Sequence, residues 1–194
     1  MELIFATNNQ HKVDEISYAL NSVLHIKTLK EAGIDIEIEE PFNSLEENAR
    51  EKCRVIHRLT QADCFSEDTG LEVLALGGAP GVRSSRYAGE PPSHQANIEK
   101  LLGELAGKLE RHARFRTVIC LDLEEKEYLF EGICEGWITE LPRGSKGFGY
   151  DPVFIPTGAD KTFAEMEMDE KNGYSHRKKA ADQLVLFLQH RLTT

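Results

Sequence analysis

The chain has 194 residues, 40% hydrophobic and 29% charged, an ordinary balance for a soluble domain or a compact pair of lobes with a real core. Its net charge of −10 excludes general affinity for nucleic acid or an anionic membrane, so any anionic ligand requires a local basic island. No apolar run approaches a membrane span, no signal peptide is expected, and Cys53, Cys64, Cys120 and Cys134 show no zinc or disulfide spacing; buried reduced thiols in a cytoplasmic protein are expected.

Leu3-Ile4-Phe5-Ala6 reads as a buried strand. The polar turn Thr7-Asn8-Asn9-Gln10-His11-Lys12 follows, then Val13, Ile16 and Leu20 at helical spacing. A helix N-terminus offers free N–H groups and a positive dipole end, both suited to phosphate, and Lys12 adds a charge. An Asn-rich cap with a solvated lysine is the alternative, and the phosphate-cradling GxxxxGK[ST] motif is absent. Ile34 to Ile38 alternates with Asp35 and Glu37, which predicts a half-buried strand ending in Glu39-Glu40-Pro41, where a carboxylate is a candidate metal ligand. Ser44-Leu45-Glu46-Glu47 is a capping box, so Glu47 is read as a cap. The helix it opens carries Leu45, Ala49, Cys53 and Ile56 on one face, with Asn48 and Lys52 on another that can point toward a site.

The densest stretch runs from Ser66 to Tyr87. The acidic pair Glu67-Asp68 meets Thr69-Gly70, the apolar run Leu71–Leu76 and a Gly-Gly-Ala-Pro-Gly turn, then Arg83 and Arg86. Carboxylates at such a corner suit a divalent cation, since Mg²⁺ takes hard oxygens from one or two carboxylates plus substrate phosphates. A polar turn punctuated by Gly and Pro is the plainer alternative. Ile98, Leu101, Leu102 and Leu105 mark another helix, and Phe115–Leu123 and Tyr128–Gly132 alternate around Glu124-Glu125-Lys126 as an antiparallel hairpin.

Arg143 to Asp151 interleaves basic and aromatic residues with three glycines, which lets a backbone approach a flat ligand while Phe148 offers a stacking face; a flexible Gly loop with a core Phe is the alternative. In the last segment Ser175 is the expected cap of a helix with Ala181, Leu184, Val185, Leu188 and Leu192 as its core stripe. Its first turn holds His176, Arg177, Lys178 and Lys179, following Lys171. Cations there oppose the dipole, so an anion is expected to dock, with Lys178 and Lys179 only solvated. On that electrostatic argument Arg177→Ala should leave the fold at least as stable.

Six ordered motifs then resemble the inosine triphosphate pyrophosphatase family, the Ham1-like house-cleaning nucleotidases. They are T-N-N-x-x-K at Thr7–Lys12, E-E-N-A at Glu46–Ala49, E-D-T-G-L at Glu67–Leu71, G-G-A-P-G-V-x-S-x-R-Y at Gly77–Tyr87, G-F-G-Y-D-P at Gly147–Pro152 and S-H-R at Ser175–Arg177. Together they span essentially the whole chain. Asn8 stands where many members carry Gly, Glu67 where many carry Asp, and Tyr174 where a smaller residue is usual.

The resemblance implies an α/β fold, an elongated two-lobed subunit with a central mixed sheet flanked by helices and a cleft between the lobes. It treats residues 1–194 as a single domain that forms a homodimer. It implies cleavage of ITP, dITP and XTP to a nucleoside monophosphate and pyrophosphate. Carried over by position, Thr7, Asn8, Asn9, Gln10, His11 and Lys12 hold the triphosphate. Glu40 and Asp68 serve Mg²⁺, with Asp68 also the base for the attacking water. Thr69 touches the nucleotide, and Phe148, Gly149, Tyr150, Asp151, Lys171, His176 and Arg177 surround the base. The competing readings are a septum-inhibitor-like pyrophosphatase, whose Ser-rich opening and Arg pair are absent here, and a non-catalytic nucleotide sensor, which has no use for Asp68.

Overall fold

The computed structural model describes residues 2–20 and 24–192. Its strands form a mixed sheet in the order β2-β1-β3-β5-β6-β7, with β4 added on β3. They are β1 (Glu2–Phe5), β2 (His25–Thr28), β3 (Cys64–Val73), β4 (Pro80–Gly81), β5 (His112–Leu123), β6 (Lys126–Ile138) and β7 (Phe154–Pro156). The helices are α1 (Gln10–Leu20), α2 (Leu45–Thr60), α3 (His94–Glu104), α4 (Met168–Asn172) and α5 (His176–Leu192). β1 runs parallel to β2 and β3, while β4 and β7 are antiparallel to their partners. Among the described residues no helix is long and apolar enough to cross a membrane.

Two compact units share these elements, the first made of Met1–Asp68, Thr117–Gly132 and His176–Thr194, the second of Thr69–Arg116 and Ile133–Ser175. In the first unit, side-chain alternation along β3 decides everything that follows. Phe65 faces the core shared with Val13 and Ile16 of α1 and Ala181, Leu184 and Leu188 of α5, and stacks on Phe5 with ring centroids 4.4 Å apart. Cys64 and Ser66 face α2 instead: the Cys64 thiol donates to Cys53 O at 3.5 Å, and Ser66 Oγ donates to Ala49 O. β5 repeats the pattern, Ile119 and Leu121 lying in the α1–α5 core while Cys120 O accepts from the Cys53 thiol at 3.1 Å. All four cysteines are buried, and none is in a disulfide.

The α2 stripe Leu45, Ala49, Cys53 and Ile56 is buried, and Ser44 Oγ accepts from Glu47 N at 3.2 Å to start the helix. The α5 stripe is likewise buried at Ala181, Leu184 and Leu188, while Val185 packs against its edge and the side chain of Leu192 lies outside the described residues. A Cβ on Gly132 of β6 would sit 2.0 Å from His176 O, so this glycine lets the start of α5 lie directly on the strand.

One expectation changes. Residues 34–40 alternate in exposure as their pattern predicts, yet they form no strand, because Ile34 N–H goes to Leu29 O and Ile36 O accepts from the Asn8 side chain. The strand beside β1 is His25–Thr28, whose mixed side chains carry no alternating signal. The apolar run Leu71–Leu76 divides, β3 stopping at Val73 and Leu74–Leu76 making a 3₁₀ turn closed by Gly77 at φ 62°.

The second unit packs Leu71 and Val73 of β3, Ile98 and Leu101 of α3, and Phe115, Phe154 and Phe163 into its own core. The Gly-Pro corner brings β4 back onto β3, pairing Leu71 with Gly81 and Glu72 with Pro80. A Cβ on Gly70 would lie 2.6 Å from Gly81 O, so that pairing needs glycine.

Candidate active site

In the first unit the turn after β1 is self-capped. Thr7 Oγ1 accepts from Asn9 N at 3.2 Å, and Asn9 Oδ1 accepts from Lys12 N at 3.3 Å, the bond of an N-cap residue. Asn8 ties the turn to Ile36 O at 2.7 Å, and Gln10 donates to Asp14 on its own helix. His11 is exposed. Of this stretch, Lys12 is the residue whose side chain reaches inward, its Nζ 3.3 Å from Glu67 Oε1.

Glu67 and Asp68 are adjacent in β3 and therefore leave it on opposite faces. Glu67, on the α1–α5 side, accepts from Arg177 Nε at 2.7 Å and from Nη2 at 3.0 Å. Arg177 Nη1 also donates to Glu15 of α1. Burial pushes the Glu67 carboxyl pKa up, but the charges of Arg177 and Lys12 outweigh it and leave it at about 2. Arg177 is 2% exposed, and although burial opposes its charge, Glu67 and Glu15 hold it above the usual arginine value. The basic first turn of α5 thus meets its anions within the protein. This reverses the stability expected of Arg177→Ala, because the dipole conflict is small beside a buried ion pair. It also corrects the idea that the Glu67-Asp68 pair acts jointly on one cation. His176 is buried beside Arg177, 3% exposed.

Asp68 looks the other way, toward α2. Asn48 Nδ2 donates to its Oδ2 at 3.2 Å, and Lys52 Nζ lies 3.2 Å from Oδ1. Lys52 Nζ also reaches Glu40 Oε1 at 2.5 Å. Asn48 is itself fixed by Phe42, accepting from its N–H at 2.9 Å and donating to its carbonyl at 3.2 Å. Burial raises the Asp68 pKa; Lys52 opposes this and Glu40 adds to it, and the balance lies above the ordinary value. Burial would lower Lys52, but the Asp68 and Glu40 charges more than compensate and hold the ammonium charged. Glu40 and Asp68 therefore converge from separate segments on one positive charge. Two such carboxylates are hard oxygen donors of the kind a divalent cation takes beside substrate phosphates.

The second unit carries the glycine loop. Asp151 Oδ2 accepts from Phe148 N–H at 3.0 Å and from Lys171 Nζ at 2.6 Å. Lys171 Nζ stands 5.7 Å from the Phe148 ring centroid and 5.2 Å from that of Phe163. Gly147, at φ 71°, lets Asp151 fold back under the loop: a Cβ there would meet Asp151 Oδ2 at 2.0 Å. Gly149, at φ 61°, turns the chain after Phe148. Tyr150 is buried, its hydroxyl donating to Ser84 O at 2.8 Å, so it anchors the loop. Thr69 is half-buried in β3.

Lys52 and Asn48 are detectable in the sequence as polar residues off the core stripe of their helix. Glu15 is not, since its partner Arg177 lies 162 residues away.

The fold is shared with solved Ham1 proteins from Staphylococcus aureus and Coxiella burnetii, each superposing with a TM-score of 0.89 at 36% identity over 98% of this chain, and over 100% and 99% of theirs. A model of the Ham1 family matches residues 3–187, and the chain belongs to that family. It is 49% identical to a dITP/XTP pyrophosphatase of Porphyromonas gingivalis over 96% of this chain and 97% of that one. It is 45% identical to a dITP/XTP pyrophosphatase of Bacillus subtilis, with 97% of each chain covered.

Proposed function

We propose that this chain hydrolyses the non-canonical purine triphosphates dITP, ITP and XTP to nucleoside monophosphate and pyrophosphate, and so removes them from the nucleotide pool. The observation that carries the mechanism is Asp68, a buried carboxylate oriented by Asn48 and Lys52 opposite Glu40. The names of the relatives support the substrate class. A sensor without catalysis has no need of such an acid, and a pyrimidine preference finds no support among these relatives.

Glu40 and Asp68 would hold Mg²⁺, which when bound neutralises phosphate charge. Asp68 takes a proton from water; the water oxygen bonds to the α-phosphorus as the bond to the bridging oxygen breaks, and pyrophosphate leaves. Lys12 and Lys52 supply positive charge to the phosphates. Thr7 to His11 supply the polar turn at the start of α1 that receives the triphosphate, with Thr69 touching the nucleotide. Phe148 stacks on the base, and Gly149 to Asp151 and Lys171 shape its pocket. A donor aimed at the C6 oxygen of hypoxanthine or xanthine would face the amino group of adenine, a mismatch costing about 1–3 kcal/mol. The whole chain acts as one functional domain, as a homodimer, in the cytoplasm.

A panel of triphosphates with Mg²⁺, scored for pyrophosphate and monophosphate, tests this. Release from dITP, ITP and XTP that stops in chelator and returns with Mg²⁺ is expected. Equal release from ATP, production of orthophosphate, or sustained turnover without metal would overturn it.

A further inference from the structure

Phe148 is half-buried at the turn of the glycine loop, and what keeps its ring in place is not obvious, because glycines at φ 71° and 61° flank it and leave the backbone free to rotate. Two side chains hold the peptide groups on either side. Asp151, from within the loop, takes the Phe148 N–H. The next N–H, that of Gly149, is taken by a residue far away in sequence: it donates to His94 Nδ1 at 3.2 Å. The imidazole also lies against the Phe148 ring, centroids 6.1 Å apart and planes tilted by 43°.

His94 is the first residue of α3, yet its side chain does nothing for that helix. Ser93 Oγ supplies the cap, accepting from Ala96 N at 3.3 Å. The helix is itself pinned by buried Asn97, which donates to Ser84 O and Ser85 O and accepts from Ala88 N. Ser84 O is also the acceptor for the Tyr150 hydroxyl. The loop therefore rests on α3 and its flanking turn at two points, Tyr150 below and His94 at the tip. The first is buried framework, and the second is exposed and touches the stacking residue directly.

We propose that His94 is a positioning residue for substrate binding, its Nδ1 lone pair fixing the Gly149 peptide and thereby the angle at which Phe148 meets the purine. This rests on Phe148 being the surface that receives the base. The ring proton then sits on Nε2, and the acceptor at the Nδ1 position is the feature that matters. Asparagine can present an oxygen at that position and glutamine cannot, which separates this role from simple bulk.

The experiment compares His94→Ala, His94→Asn, His94→Gln and Phe148→Ala. In the nucleotide-free protein, Gly149 amide exchange followed by NMR should accelerate in H94A and H94Q and stay near wild type in H94N. With ITP, KM should rise about three- to tenfold in H94A and H94Q, the loss of one neutral hydrogen bond, while kcat stays within about twofold and H94N stays close to wild type. Unchanged exchange and KM in H94A, or H94N behaving like H94A, would overturn the proposal. If F148A leaves KM unchanged, the base platform itself is misassigned and the role of His94 falls with it. If F148A raises KM and H94A does not, the platform stands and His94 alone is refuted.

Discussion

Arg177 grips both carboxylate oxygens of Glu67 from the first turn of α5, at 2.7 and 3.0 Å, with Glu15 on its remaining nitrogen. Removing the guanidinium leaves two buried carboxylates short of a counter-charge. Arg177→Ala should destabilise the free protein by about 3–5 kcal/mol, lowering the melting temperature by roughly 10 °C. Thermal unfolding without nucleotide checks this, and a variant as stable as wild type would refute it.

The same pair makes stability depend on acid. Glu67 has its pKa lowered from 4.5 to about 2, so its contribution is complete above pH 4.5 and drains away as pH falls toward 2. The gap in unfolding free energy between wild type and Glu67→Gln should therefore shrink over that interval, by an amount on the order of 3 kcal/mol. Other carboxylates titrate in both proteins and cancel in the difference. A gap that stays constant down to pH 2 would contradict the ion-pair account.

Asp68→Asn keeps the shape of the acid and its contact with Asn48 but removes the charge and the base. A kcat about 10²–10⁴-fold lower is expected, with ITP still bound. Steady-state kinetics beside calorimetric binding would tell the two apart. Turnover near the wild-type rate would exclude Asp68 as the central acid.

Gly147→Ala places a methyl where Asp151 Oδ2 now lies and demands φ 71° of a residue with a Cβ. Asp151 must shift, releasing both the Phe148 N–H and Lys171. The expected cost is about 1.5–3 kcal/mol, roughly a ten- to hundredfold fall in kcat/KM for ITP, with α2 and its Asp68 contact untouched. Unaltered kinetics would mean that the loop does not bear on the substrate.

Much of this was legible in the residues. Helical periodicity marks α1, α2, α3 and α5, and Ser44 announces the start of α2, because local capping and one-sided burial leave a pattern within a few positions. The expected strand at Ile34–Ile38 fails for a related reason: alternating burial is what the sequence encodes, whereas strand pairing depends on which backbone lies alongside, and there the Asn8 side chain takes the carbonyl. The partners of Arg177 were beyond reach in the same way. A basic turn at a helix start announces an unmet anion requirement, and the turn itself does not reveal whether that anion is a ligand or a glutamate brought from the far end of the chain.

The alternation of β3 gives its two neighbouring acids different tolerances for length. Glu67 meets the tips of Arg177 and Lys12, long chains able to follow a carboxylate that retreats by one methylene. Asp68 meets Asn48, which is locked to the Phe42 backbone on both sides, and a longer acid would have to drive that contact apart. Glu67→Asp and Asp68→Glu are the same chemical edit made in opposite directions. Assayed side by side, the first should leave kcat close to wild type and the second should not, so within two residues of one strand the chain reads charge at one position and reach at the next.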